Sequence, residues 1–219
     1  MTRFFKIILI GLAIVTFSCK NRKEVKPEMD KTVMKEIFPS LIDSMYVEIL
    51  FAMRPPPVEE IFDSVSGKTV MRPSGKTELL KEEIRNELYE HKKDSTAITI
   101  VLNDTIHPLA EDEKLKFQSK YVLSENSFGN GYKIDLDPQI QTKGFKIVLA
   151  STYKPTVDPF DRALKELSFS RIVFDKEHKK GVLTGEYVCG GLCGNGYRIF
   201  IKQVQNKWTI DHIEHVWIA

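Results

Sequence analysis

The most reactive side chains of this sequence are concentrated in Cys189-Gly190-Gly191-Leu192-Cys193-Gly194-Asn195-Gly196. Two cysteines separated by three residues support three chemistries. As a disulfide they close a five-residue loop, contributing about 2 kcal/mol through chain entropy. As soft thiolates they hold Cu(I). As a dithiol they exchange electrons, although thioredoxin-like sites space their cysteines by two residues at a helix start, which lowers the first thiol's pKa. Here three residues intervene and a strand follows. The amides of Gly190 and Gly191 could form an anion-binding nest, and with Asn195 they are the candidate binding positions of this segment.

A second cluster of ligand types is Asp211-His212-Ile213-Glu214-His215. On a strand, His212 and Glu214 share one face and His215 opposes them unless a bulge intervenes. The spacing does not match the zinc motifs, which place histidines on one helix face. His212 and His215 therefore stand as candidate binding residues without a metal. Ser66-Gly67-Lys68-Thr69 recurs as Ser74-Gly75-Lys76-Thr77. Both end like a phosphate-binding loop, but the Gly needed five positions earlier is Phe62 in one copy and Val70 in the other. They read as polar turns, the second leading into a helix. No Ser/His/Asp elbow, catalytic carboxylate pair or calcium loop is evident, and no cofactor is implied.

These residues need elements to position them. Met34, Ile37, Phe38, Leu41, Ile42, Met45 and Ile49 recur at helical spacing, which predicts a helix over 31–51 capped by Asp30, with Pro39 kinking or splitting it. Pro55-Pro56-Pro57 ends it in extended structure. Leu80, Ile84 and Leu88 predict a second helix over 78–93, capped by Thr77. After Asp94 the pattern turns to strands. Residues 97–102 form one, and 117–123 and 132–136 flank an Asn130-Gly131 hairpin turn. Residues 144–151 form another apolar run, and 159–167 a short helix or loop. Gly129-Asn130-Gly131-Tyr132 is echoed by Gly194-Asn195-Gly196-Tyr197, which reads as the same turn chemistry used twice. A four-strand meander follows over 169–175, 181–189, 197–204 and 207–218, with a charged turn at 177–180 and a tight one at Gln205-Asn206. In the last strand, Trp208 and Ile210 are out of phase with Ile213, His215 and Trp217. A bulge near Asp211-His212 would turn both sets inward, and Gly185 suggests a bend. The expected fold is α+β: N-terminal helices packed on a curved antiparallel sheet that ends in the meander. A further reading of such a sheet is a small α+β enzyme of the nuclear-transport-factor or cystatin-like shape, with a pocket inside the sheet cone.

The chain has 219 residues, 32 Lys and Arg, 30 Asp and Glu, and a net charge of +2. Both excess positive charges, Arg3 and Lys6, lie in the first 18 residues, so the remainder is neutral. That balance argues against a nucleic-acid binder, which needs excess Lys and Arg. With 42% apolar residues and 13 Phe the chain can bury a real core. Residues 1–18 read as a secretory signal, a short positive region followed by the apolar run 7–15. That run is roughly half of a membrane span.

Cys19 directly after Ser18 makes this segment resemble a bacterial lipoprotein signal, with Thr16 where Leu or Val is usual, as in the looser boxes of Bacteroidetes lipoproteins. The resemblance implies acylation of Cys19 and anchoring to a bilayer. The absence of Asp after Cys19 and the basic Lys20-Asn21-Arg22-Lys23 imply the periplasmic face of the outer membrane. Cys189 and Cys193 are then the whole thiol inventory, and in an oxidising compartment an even pair reads as a disulfide. From about residue 168 the chain also resembles the C-terminus of Bacteroidetes exported proteins of uncharacterised activity, through Tyr187, Cys189-Gly190-Gly191-Leu192-Cys193-Gly194, Gly196, Lys207-Trp208 and Trp217-Ile218. The expected organisation is a signal over 1–18, a lipidated tether over 19–28, and one α+β domain over 29–219, helical to 93 and β-rich beyond. The expected function is a non-catalytic binding or envelope-associated module that takes an envelope protein or small ligand. The alternative is thiol redox or Cu(I) handling by Cys189 and Cys193.

Overall fold

The computed structural model describes residues 27–55, 58–93, 98–124, 129–134, 142, 144–154, 164–190 and 193–218. Residues 1–26, which include the expected signal, Cys19 and most of the expected tether, lie outside them, as do Gly191 and most of the segment 159–167. The chain forms an α+β fold with its two longest helices N-terminal.

Helix α1 spans Pro27–Met53. Pro39 does not split it. The ring is on the exposed side, while Ile37, Phe38, Leu41 and Ile42 on either side of it are buried. Burial of each such side chain contributes about 1.5–3 kcal/mol, which together exceeds the roughly 3 kcal/mol that an internal proline costs. Asp30 is not a cap. It lies in the first helical turn and is buried, where its carboxylate accepts hydrogen bonds from Arg171 Nε at 2.7 Å and from the Ile172 amide at 3.2 Å.

The region to residue 93, expected to be helical apart from extended structure after residue 54 and two polar turns, contains a hairpin, β1 Val58–Asp63 with β2 Lys68–Pro73. Its turn is made by the first Ser-Gly-Lys-Thr copy. Asp63 accepts from the Val65 amide and the Ser66 hydroxyl, and Gly67 takes φ +66. The hairpin was missed because mixed Glu, Ile and Phe residues fit no single period. Helix α2, Thr77–His91, begins at Thr77 itself and has no side-chain cap. Its buried residues are Ile84 and Leu88.

The main sheet runs β11 (Lys207–Ile218), β10 (Cys193–Val204), β9 (Lys180–Gly190), β7 (Leu164–Phe169), β3 (Ile98–Leu102) and β6 (Phe145–Leu149), with β8 (Val173–Phe174) also on β9. It is mixed rather than antiparallel, because β3 Ile98–Leu102 pairs in parallel with β6 Phe145–Leu149 and β7 Leu164–Phe169. β3 and β6 are mostly apolar, interrupted by Thr99 in one and by the exposed Lys146 in the other. Residues 117–123 do not form a strand. Phe117 lies in helix α3, Glu111–Gln118, whose first turn carries Glu111, Asp112 and Glu113, a charge arrangement that favours a helix start. The expected Asn130-Gly131 hairpin is replaced by a short ladder of β4 Thr105–Ile106 with β5 Tyr132–Lys133.

The C-terminal meander forms as β8 Val173–Phe174, β9 Lys180–Gly190, β10 Cys193–Val204 and β11 Lys207–Ile218. Gln205 and Asn206 take φ +50 and +65, a primed two-residue turn. The register of β11 carries two bulges. Ile201 pairs with Ile210 and Phe200 with His212, so Asp211 is extra; Tyr197 pairs with His215 and Gly196 with Trp217, so Val216 is extra. The first bulge brings Trp208, Ile210 and Ile213 together against the main core, as the parity argument requires. The second turns Trp217 to the other face. There it meets Gly194 and Gly196: a Cβ on Gly196 would lie 1.9 Å from Trp217 Nε1, and one on Gly194 would lie 3.1 Å from Cζ3. The echoed Gly-Asn-Gly motif is therefore not a turn in this copy. Both copies make space for a flat side chain, since a Cβ on Gly129 would lie 1.6 Å from Arg171 Nη1.

One sheet face is filled by α1 and α2, with Leu41, Ile42, Met45, Ile49 and Ile84 in one cluster with Leu183, Ile199 and Ile201. Gly185 lets Met45 approach, since a Cβ there would lie 3.1 Å from its sulfur. Among the described residues the face of the sheet under the middle of α1 is filled by these side chains. The opposite face carries a smaller cluster of Leu109, Phe117, Val173, Val182 and Phe200 under α3. Among the described residues no helix is long and apolar enough to cross a membrane.

Candidate functional site

A cleft of about 450 Å³ lies among the described residues where α1 and α2 meet the edge strand β11. Its apolar lining is Val47, Leu88, Ile210 and Ile213, and its polar lining includes Asp43, Ser44, Glu48, Arg85, Tyr89, Lys92, Asp211 and His212. The helices supply these groups from faces turned toward β11, and the Asp211 bulge brings the strand's contribution to the rim.

Each carboxylate lining the cleft has a lysine partner. Lys92 Nζ lies 2.5 Å from Asp43, Lys81 Nζ 2.7 Å from Glu48 and Lys202 Nζ 2.5 Å from Asp211. Arg85 bonds Glu82 at 3.2 Å on the surface. The site is consequently close to electrically neutral. The hydrogen bond from Lys202 holds the Asp211 carboxyl below its ordinary pKa, with a smaller contribution in the same direction from His212. His212 stacks flat on Phe200, ring centroids 4.1 Å apart, with Nδ1 3.1 Å from Asp211 Oδ2. Its imidazole is held at the rim by these two contacts.

The residues singled out in the sequence do not form one site. Cys189 and Cys193 are joined by a disulfide across the end of the β9–β10 hairpin, with Cα atoms 5.1 Å apart. Asn195 is buried next to that end, and His215 Nε2 lies 3.0 Å from its Oδ1. His212 is on the opposite sheet face, because the Asp211 bulge precedes both histidines and leaves their alternation intact. Gly190 is the last residue of β9. Among the described residues no group of three His, Cys, Asp or Glu side chains gathers as a metal site. Redox or copper chemistry at the cysteine pair would start from the disulfide.

The helical residues Asp43, Glu48, Arg85 and Lys92 gave no signal in the sequence. Charged positions on an amphipathic helix read as a solvated face, and nothing local records that a strand about 120 to 170 residues further on packs alongside. A further buried network lies on the α3 face. Glu113 accepts from Arg198 Nε at 2.8 Å and Nη2 at 2.6 Å, and Arg198 Nη1 donates to Glu214 at 2.8 Å. It clamps α3 onto β10 and β11.

Comparison with known proteins found no matching family model, no matching curated protein and no matching solved structure.

Proposed function

We propose that this chain is a lipid-anchored module of the cell envelope that binds an envelope protein or small ligand in the cleft between α1, α2 and β11, without catalysing a reaction on it. The observation that carries the binding part is the cleft itself. It combines an apolar floor with convergent polar groups, which is the usual composition of a ligand site, and its 450 Å³ is within the range such sites occupy. The anchoring part is supported by the apolar run before Cys19 and by the closeness of Cys19 to α1, which begins eight residues later at Pro27. Two acyl chains on one residue hold a protein firmly, because each buried methylene contributes about 0.8 kcal/mol.

Producing the full chain in a bacterium that processes lipoproteins, with labelled palmitate in the medium, tests the anchor. The expected result is label in the wild-type protein and its recovery with membranes, and loss of both in Cys19→Ala. An unlabelled wild-type chain, or label retained by C19A, would refute it.

A further inference from the structure

The ligand class can be read from how the cleft meets the sheet. We propose that it takes an extended, uncharged peptide segment that adds as a strand to the free edge of β11. This rests on the cleft being the binding site.

Strand β11 ends the sheet, with β10 on one side and no strand on the other among the described residues. Ile210, Asp211, His212 and Ile213 all line the cleft. Successive side chains of a strand point to opposite faces, and here they do: His212 stacks on Phe200 of the α3 face, whereas Ile213 packs against the cluster under α1. A cavity touching both must run along the backbone edge. The same edge is satisfied one step earlier by a side chain, since the Trp208 amide donates to Glu36 Oε1 of α1 at 2.9 Å. The cleft follows β11 across the Asp211 bulge, from Ile210 to Ile213.

An exposed strand edge offers a row of amides and carbonyls that an extended peptide can complete. From His212 to the second bulge at Val216, the regular edge spans four residues, about 13 Å. The two bulges therefore limit the added strand to a short one. Val47 and Leu88 on the helix side would receive alternate side chains. Charge selects further: with each lining carboxylate matched by a lysine, the cleft has nothing to compensate a net charge on its occupant.

The test uses the mature chain labelled with ¹⁵N and a library of end-blocked hexapeptides built from Val, Leu, Ser, Thr, Asn and Tyr. The expected result is a binder that shifts the amide signals of residues 210–215. N-methylation of that peptide at alternate amides should then weaken binding tenfold or more, with the intervening positions changing it less than twofold. Ser44→Trp, which fills the cleft from α1, should abolish binding while the chain still melts cooperatively. The methylation scan alters only the ligand and stands whatever that variant does. Binding in the cleft without the alternation overturns strand addition but leaves the cleft as the site. A binder that shifts residues elsewhere overturns both readings. Absence of any binder, or a dimer held through β11, overturns the peptide proposal.

Discussion

Gly196 and Trp217 offer a sharp test of how the C-terminal hairpin is built. A Cβ on Gly196 would lie 1.9 Å from Trp217 Nε1 and 2.4 Å from Cδ1 and Cε2, and these are its three nearest neighbours. Gly196→Ala must therefore displace the indole. Trp217 is 37% exposed, so it can swing outward, and what is lost is the buried remainder of its contacts. Full burial of a large apolar side chain contributes about 1.5–3 kcal/mol, so G196A should destabilise by about 1–2 kcal/mol. In a Trp217→Ala background the obstacle is gone. Gly196 has no positive φ, so the same substitution should there stabilise by about 0.4–1 kcal/mol through the unfolded chain. Urea unfolding of the four proteins, with the disulfide intact, measures both effects. The reasoning predicts a reversal of sign between backgrounds. Equal destabilisation in both, or none in the wild type, would refute the claim that the glycine exists to seat the tryptophan.

Other outcomes follow from the same packing. Glu113→Gln should destabilise by about 1.5–3 kcal/mol, the worth of hydrogen bonds to a charged group, because Arg198 keeps Glu214 and is not left uncompensated; urea unfolding measures it, and a change under 1 kcal/mol would show that the clamp on α3 is dispensable. Replacing Cys189 and Cys193 by Ser should lower stability by about 2 kcal/mol, the entropy of a five-residue loop, with no effect on peptide binding at the cleft; loss of binding in that variant would place the cysteine loop in the site. Asp30 is raised above its ordinary value of 3.8, mainly by burial and despite the opposing bond from Arg171. The folded state then holds this proton more tightly than the unfolded one, so the stabilisation is complete below 3.8 and is lost as pH rises through the folded value. The stability of wild type relative to Asp30→Asn should accordingly fall with rising pH from about 3.8 upward and then level off, as acid-range unfolding curves would show; a difference that grows with pH would contradict the sign.

Local rules made some elements legible. The spacing from Met34 to Ile49 specified α1, and Ile84 and Leu88 specified the buried stripe of α2. Gln205-Asn206 and the alternation around it specified the last hairpin, and the phase break between Ile210 and Ile213 located the bulge at Asp211. The spacing of the two internal cysteines allowed the disulfide that the structure shows, while leaving dithiol and thiolate chemistry open. Each of these depends on residues within about a dozen positions of one another.

What the tertiary structure decided depends on partners far apart in the chain. The parallel pairing of β3 with β6 and β7 leaves no mark on a short apolar run, which reads alike in either orientation. Asp30 has the residue type of a cap, and only the approach of Arg171, 141 positions away, makes it a buried anchor. The echoed Gly-Asn-Gly motifs carry the composition of a turn, yet the reason for their glycines is a guanidinium in one copy and an indole in the other. The cleft is the extreme case. Its floor and rim come from two helices and a strand edge, none of which is a site alone. Periodicity encodes which face of an element is buried, but not which other element will stand beside its polar face, and that is where the cleft is made.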